Sequence, residues 1–270
     1  MSYLNNKVIW ITGASSGIGE ALTYELAKIS GVKLILSARR KEELQRVQGN
    51  CPSNVQANVH ILPIDLSKEE TLKLSTEAAI QIFGRIDVLI NNGGISQRSL
   101  VKDTILSVDR EIMEVDYFGT IALTKFLLPH FLLRKSGHFV TVSSVMGKIG
   151  TPYRSGYAAA KHALHGFFDS LRAELWKDSR NIFVTLVCPG WVKTQVTMNA
   201  LVGNGSKLNK MDHATNVGLS ANVFASKMVV AIAKKKDEVY IGGMKETFAV
   251  YLKRFFPKLF AIAVRKMAVR

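Results

Sequence analysis

The sequence predicts an α/β fold, a doubly wound parallel sheet with helices on both faces in three layers. Two observations carry this. Short β-branched runs without alternation recur between amphipathic stretches, and the first run ends in a glycine-rich turn that opens a helix. A strand buried on both faces needs apolar side chains at every position, so it reads as a continuous run. Strands of that kind separated by helices pair in parallel.

KVIWI (7–11) is the first strand, and the helix after it runs over 17–29. KLILS (33–37) precedes a helix over 41–47, VHIL (59–62) precedes one over 68–83, and IDVLI (86–90) follows. HFVTV (138–142), a helix over 157–176 and IFVTLV (182–187) continue the alternation. No internal repeat or low-complexity tract interrupts it, so residues 1–270 are expected to form one domain. Residues 195–219, with GNGSKLN and DHATN, break the pattern and are expected to be a flexible lid or substrate loop within it. Residues 246–270 form a basic amphipathic C-terminal segment.

Composition narrows the function classes. With 47% hydrophobic residues in 270 the chain can bury a large core. Cys51 and Cys188 are too few and too far apart for a disulfide framework, and neither CxxC nor HxxxH is present, so no metal is expected. MSYLNNKVIWITG enters a strand directly, without the basic and apolar regions of a signal peptide, which points to the cytoplasm. A net charge of +15 favours anionic partners such as a phosphorylated cofactor or an acidic lipid surface. No nucleic-acid-binding module accompanies the charge, so nucleic acid is not expected as a partner.

The turn TGASSGIG (12–19) lies at the first strand-to-helix junction. Glycines there let the backbone approach a pyrophosphate, and the helix N-terminus offers free N–H groups and the positive end of its dipole. At this junction of a doubly wound sheet dinucleotides bind. An acidic residue at the end of the second strand would hold a ribose 2′-hydroxyl, but KLILSARR carries Ala38 and Arg39 there. Arg39, with Arg40 beside it, suits a 2′-phosphate, and two cations opposing a helix dipole call for an anionic ligand. NADP(H) is therefore expected in preference to NAD(H).

SGYAAAKHAL (155–164) sets Tyr157 and Lys161 one turn apart on one helix face. A tyrosine of pKa ~10 is a poor base alone. A neighbouring ammonium and an oxidised nicotinamide both favour the phenolate, so such a tyrosine can exchange a proton with an alcohol or carbonyl oxygen. HFVTVSSVMG places Ser143 and Ser144 at a strand end to hold that oxygen.

TGASSGIG, NNGG (91–94), Ser144, YAAAK (157–161) and PGWVKT (189–194) together resemble, in type and order, the motif set of the short-chain dehydrogenase/reductase family, over about residues 5–243. MEVDYFGTIALTKFLLP and RSGYAAAKHAL look closest to its member 7 and 7B branch. The resemblance implies a Rossmann fold in which Tyr157 is general acid and base, Ser144 orients the substrate oxygen, and Lys161 holds the nicotinamide ribose and acts on the tyrosine. It implies that Gly13, Ser15, Ser16, Gly17, Ile18 and Gly19 line the pyrophosphate turn. Asp65 and Leu66 would meet the adenine and Asn91 the adenosine ribose, unless Asp65 and Asn91 are plain turn and cap residues. Pro189, Gly190, Val192 and Thr194 would pass under the carboxamide. Two positions depart from the family pattern. Gly93 replaces the alanine of NNAG, a mild loss of a methyl, and Asp116 replaces an asparagine that helps connect the lysine to solvent, which alters the pH dependence expected of the proton relay. The resemblance also implies a homodimer or homotetramer.

KRFFPKLFAIAVRKMAVR (253–270) carries six basic residues and no acidic one. Phe255, Leu259 and Ile262 fall at helical spacing, and Pro257 begins a second short helix. The segment suits either the interface of an anionic membrane or packing on its own domain or a partner subunit. His162 and His165 read as packing or surface residues without an acidic partner. Met198 and Met211 either line an apolar pocket or fill gaps. The sequence thus describes an NADP(H)-dependent oxidoreductase of a carbonyl or secondary alcohol, reducing a lipophilic ketone. The alternative is a protein that binds the dinucleotide without turnover, or a membrane-peripheral binding protein.

Overall fold

The computed structural model describes residues 2–210 and 213–265, and its strands follow the apolar runs. The first half reads β1 (Val8–Thr12), α1 (Gly17–Ala27), β2 (Lys33–Ser37), α2 (Lys41–Gly49), α3 (Ser53–Gln56), β3 (Val59–Ile61), α4 (Glu69–Phe83) and β4 (Val88–Asn91). The second half continues with α5 (Leu106–Met113), a π-helical turn (Glu114–Phe118), α6 (Gly119–Arg134), β5 (Gly137–Val142), α7 (Ser155–Asp178) and β6 (Ile182–Pro189). The short pieces β7 (Val192–Lys193), α8 (His213–Asn216) and β8 (Leu219–Ser220) lead to α9 (Ala221–Ala233) and β9 (Glu238–Ile241). Helices α10 (Met244–Phe255) and α11 (Pro257–Arg265) follow.

Seven strands form one parallel sheet in the order β3-β2-β1-β4-β5-β6-β9. The winding reverses between β1 and β4, and the C-terminal ends of the strands there frame a crevice. Because successive side chains of a strand alternate, each strand feeds two cores. Ile9, Ile11, Leu34, Leu36, Ile90 and Val140 meet Leu22 and Leu26 of α1 and Phe224 and Met228 of α9 on one face. Trp10, Ile35, Leu89, Phe139 and Leu186 meet Leu123, Leu127 and Phe131 of α6 and Leu164 and Phe168 of α7 on the other. Each such fully buried side chain contributes about 1.5–3 kcal/mol.

At the opposite end of the sheet from the crevice, Asp87 joins three elements. It accepts from the Val8 N–H at 2.9 Å, from Arg85 Nε at 3.0 Å and from Arg134 Nη2 at 2.8 Å. Helices α5, α6 and α9 and strand β9 were not expected from periodicity. α6, GTIALTKFLLPHFLLR with Pro129 inside it, is apolar on too many sides to show a stripe, and β9 is short and half polar.

Candidate active site

The turn after β1 is built by what its glycines lack. Gly13 and Gly17 hold φ of 64° and 58°, the left-handed region that side chains avoid. A Cβ on Gly13 would stand 2.7 Å from Gly93 Cα, and one on Gly19 would run into the Gly13 carbonyl. The turn is therefore closed tightly on the loop after β4. Thr12 Oγ1 accepts from the N–H groups of Asn92 at 3.0 Å and Gly93 at 2.9 Å, while Asn92 Nδ2 donates to the carbonyls of Thr12 at 3.0 Å and Gly13 at 3.2 Å. Ser16 precedes α1 with extended backbone and no side-chain cap, and the first amides of α1 have no side-chain acceptor among the described residues.

A cavity of about 710 Å³ runs along the C-terminal ends of the strands. At the β2 and β3 flank it is lined by Arg39, Arg40, Asp65 and Leu66, and centrally by Gly13, Ser15, Ser16, Gly17 and Ile18. Gly93, Asp116, Ser144, Tyr157, Lys161, Pro189, Gly190, Val192 and Thr194 line the β5 and β6 flank. Arg39 and Arg40 are exposed and unpaired among the described residues. Arg46, nearly two turns on, is held by Glu20 and Glu43, each at 2.8 Å. Asp65 lines the cavity while its Oδ1 closes its own turn, accepting from the Ser67 N–H at 3.0 Å and hydroxyl at 2.8 Å. Two expected lining residues stand elsewhere. Gly19 lies behind the turn, where its missing side chain lets α1 approach. Asn91 faces the core, 3% exposed, donating to Thr124 at 3.1 Å and Thr141 at 3.4 Å, and its neighbour Asn92 faces the cavity instead.

Tyr157 and Lys161 sit in the first turns of α7, 5.6 Å from ammonium to ring centre. The start of α7 is fixed from outside the helix. Gln97 Oε1 accepts from the Gly156 N–H at 2.8 Å and the Tyr157 N–H at 3.4 Å, and its Nε2 donates to Ser99 and Thr104, each at 3.2 Å. Gln97 carries no motif of its own, because its partners on α7 lie some sixty positions away. Ser143 donates to the Lys161 carbonyl at 3.2 Å, and Ser144 Oγ accepts from the Met146 N–H at 3.1 Å.

Lys161 Nζ lies 3.2 Å from the Val142 carbonyl and 3.2 Å from Asp116 Oδ2. Asp116 belongs to the π-helical turn, is 1% exposed, and accepts from the Ile95 N–H at 2.7 Å. Burial pulls the Lys161 ammonium down, but the negative charge of Asp116, helped by Tyr157, outweighs it and holds the lysine above its ordinary pKa. Burial pushes the Asp116 carboxyl up, against Lys161 and the Ile95 N–H. One cavity thus joins a glycine turn, two guanidinium groups unpaired among the described residues, a serine, a tyrosine and a lysine.

A family model described as short chain dehydrogenase matches residues 7–203. The chain belongs to the short-chain dehydrogenase family. It is similar to the human dehydrogenase/reductase SDR family member 7, 43% identical over 265 residues, 94% of this chain and 75% of that protein. It is likewise similar to the mouse member 7B, 41% identical over 265 residues, 96% and 80% of the two chains. A short-chain dehydrogenase/reductase from Burkholderia phymatum, solved in complex with NAD, shares the fold at a TM-score of 0.84 and 22% identity, with 96% of each chain covered. The chain is therefore an oxidoreductase acting on CH–OH and C=O groups, as the motif set implied.

Other readings of this short-chain dehydrogenase change. Leu66 Cδ1 stands 2.6 Å from where a Cβ on Gly93 would be, a contact that the end of a leucine side chain can relieve by shifting. His165 has an acidic partner after all. Its Nδ1 lies 3.4 Å from Glu238 Oε2 and its Nε2 3.7 Å from Cys188 Sγ, with Lys148 Nζ 2.9 Å from the same carboxylate oxygen. Burial pushes the Cys188 thiol well up, while His165, Tyr240 and Lys148 around the Glu238 carboxylate outweigh its burial and bring it down to about 2. His162 Nδ1 pairs with the Ala158 carbonyl at 2.8 Å. Met198 does not line the cavity, and Met211 lies outside the described residues. Within 195–219, Leu201 is tied to Ser96 and Arg98 by backbone hydrogen bonds of 2.8 Å, so the expected lid is anchored in its first third.

Proposed function

We propose that this enzyme is an NADP(H)-dependent reductase of lipophilic carbonyl compounds, working as one domain over residues 1–270. The observation that carries the reading is the continuity of the cavity, from Arg39 and Arg40 past the glycine turn to Ser144, Tyr157 and Lys161. The turn fits a dinucleotide pyrophosphate, because side chains at Gly13 and Gly17 would fill or strain the cradle and the amides of α1 lack a competing side-chain acceptor. Arg39 and Arg40, which make no ion pair among the described residues, would bind a 2′-phosphate by charge-assisted hydrogen bonds. When bound, the nicotinamide supplies or accepts the hydride. Ser144 holds the substrate oxygen by hydrogen bonding. Tyr157 gives that oxygen its proton in reduction and takes it back in oxidation. Lys161, kept charged by Asp116, holds the cofactor ribose and favours the phenolate while Tyr157 is deprotonated.

Val145, Met146, Val196 and Leu201 line the same flank and support an apolar substrate. Residues 195–219 would close over it. Leu132, Leu133 and Trp176, large apolar side chains exposed on α6 and α7, support assembly into a homodimer or homotetramer. The reading places the enzyme in the cytoplasm, next to the membranes where such substrates dissolve.

The test is NADPH oxidation by purified protein across a panel of ketones that includes lipid ketones. Tyr157→Phe should lower turnover about 10²–10⁴-fold. Arg39→Ala should weaken NADPH binding about tenfold and leave NADH binding unchanged. Tight NADPH binding with no turnover on any member would favour a dinucleotide-binding protein, and NADH preferred by both forms would refute the role of Arg39.

A further inference from the structure

We propose that the outer face of the two C-terminal helices docks on an anionic lipid bilayer. Their inner faces are occupied. Val250 and Phe260 are buried against Val145, Met146 and Ala158, with Leu252 and Val264 packed beside them. The tail expected to meet either protein or membrane therefore packs on its own protein through one face only.

The other face is apolar as well. Met244, Phe248, Tyr251 and Phe255 recur at i, i+4, i+7 and i+11 of α10, exposed by 90%, 65%, 53% and 67%. Phe256, just before α11, and Leu259 and Ile262 on it are exposed as well. A helix packed on a protein core ordinarily turns polar residues outward. Large exposed apolar side chains gathered on one helix face mark an interaction surface.

Charge identifies the partner. Lys245, Arg254, Lys258 and Arg265 are exposed among these side chains. Glu246, the one acidic residue after Glu238 in the sequence, is half-buried and lies 3.4 Å from the Trp191 N–H. Cations around projecting aromatic rings, with no exposed carboxylate among them, match anionic headgroups above acyl chains. No described helix is long and apolar enough to cross a membrane, so the contact is interfacial. Residues 266–270, outside the described residues, add Lys266 and Arg270 to the sequence.

Val145 and Met146 line the cavity and also pack against α10 and α11, so the docked face stands one layer from the site. Entry of substrate from the bilayer rests on the reading of a lipophilic substrate. The docking rests on the surface alone.

Sedimentation of the full chain with phosphatidylcholine vesicles, with and without phosphatidylserine, tests it. The wild type should pellet with the anionic vesicles and be released by salt, which shortens the reach of surface charge to ~3 Å at 1 M. Phe248→Ser with Phe255→Ser should abolish pelleting. Lys245→Gln, Arg254→Gln and Lys258→Gln together should lower the partition coefficient roughly 100-fold. Circular dichroism and NADPH binding unchanged in both variants would show that they fold, and neither readout depends on turnover. A wild type that stays in the supernatant with anionic vesicles overturns the proposal. So does one that stays there while its mass in solution halves in the Phe248→Ser, Phe255→Ser variant, since the face would then join two copies.

Discussion

Lys161 is a buried ammonium whose pKa burial alone would lower, and the carboxylate 3.2 Å away reverses that direction. Asp116→Asn keeps an oxygen for the Ile95 N–H but removes the charge, so the pKa of Lys161 should fall. If the ammonium is the working form, activity is lost as pH rises through that pKa. The alkaline limb of kcat/KM should therefore move to lower pH in the variant, and a pH–rate profile reads the shift directly. Stability has the same sign. Because the folded lysine pKa is raised, the pairing contributes stability below the unfolded value of ~10.4 and loses it as pH rises through the folded one. An alkaline limb that stays in place in the variant would mean that Asp116 does not set the charge of Lys161.

Helix α7 presents Tyr157 on its first turn, and Arg154 before it provides no side-chain cap. Gln97 supplies the missing acceptor from the loop after β4. Gln97→Ala should leave the Gly156 N–H unsatisfied and cost about 1–2 kcal/mol, a fall in Tm of roughly 3–6 °C. Because the cavity end that carries Arg39 and Arg40 is untouched, kcat should fall while the KM for NADPH holds. A variant that loses both in proportion would show a general loosening rather than a misplaced tyrosine. This dependence was not legible in the sequence, since the cap and the helix are joined only by the fold. The glycine turn was legible, because its backbone requires residues without Cβ at Gly13 and Gly17. The choice between Asn91 and Asn92 was not, because neighbours at a strand end face opposite ways and a shift of one residue exchanges core for cavity. His165 likewise meets Glu238 only after β9 has joined the sheet.

Across the whole molecule, the residues read as chemical lie at the C-terminal ends of the strands, and the other end holds the sheet to its helices. Asp87 is the junction there, 5% exposed and bound by β1, by Arg85 and by Arg134 of α6. Burial pushes its carboxyl up, but the Val8 N–H and the two arginines more than offset this and hold it below the usual carboxylate range. A lowered folded pKa contributes stability above the unfolded value of ~3.9, and that contribution is lost as pH falls through the folded pKa. Asp87→Asn preserves the shape and removes the charge, leaving Arg134 short of its partner. It should cost about 2–3 kcal/mol at neutral pH in urea unfolding. The gap between variant and wild type should narrow in acid, where the wild-type carboxyl also loses its charge. Turnover at a temperature where both forms are folded should be unchanged, because the substitution lies at the end of the sheet away from the cavity. A gap that stays the same in acid would assign the loss to packing around Asp87 and not to its ionic bonds, and altered turnover would show that the two ends of the sheet are coupled.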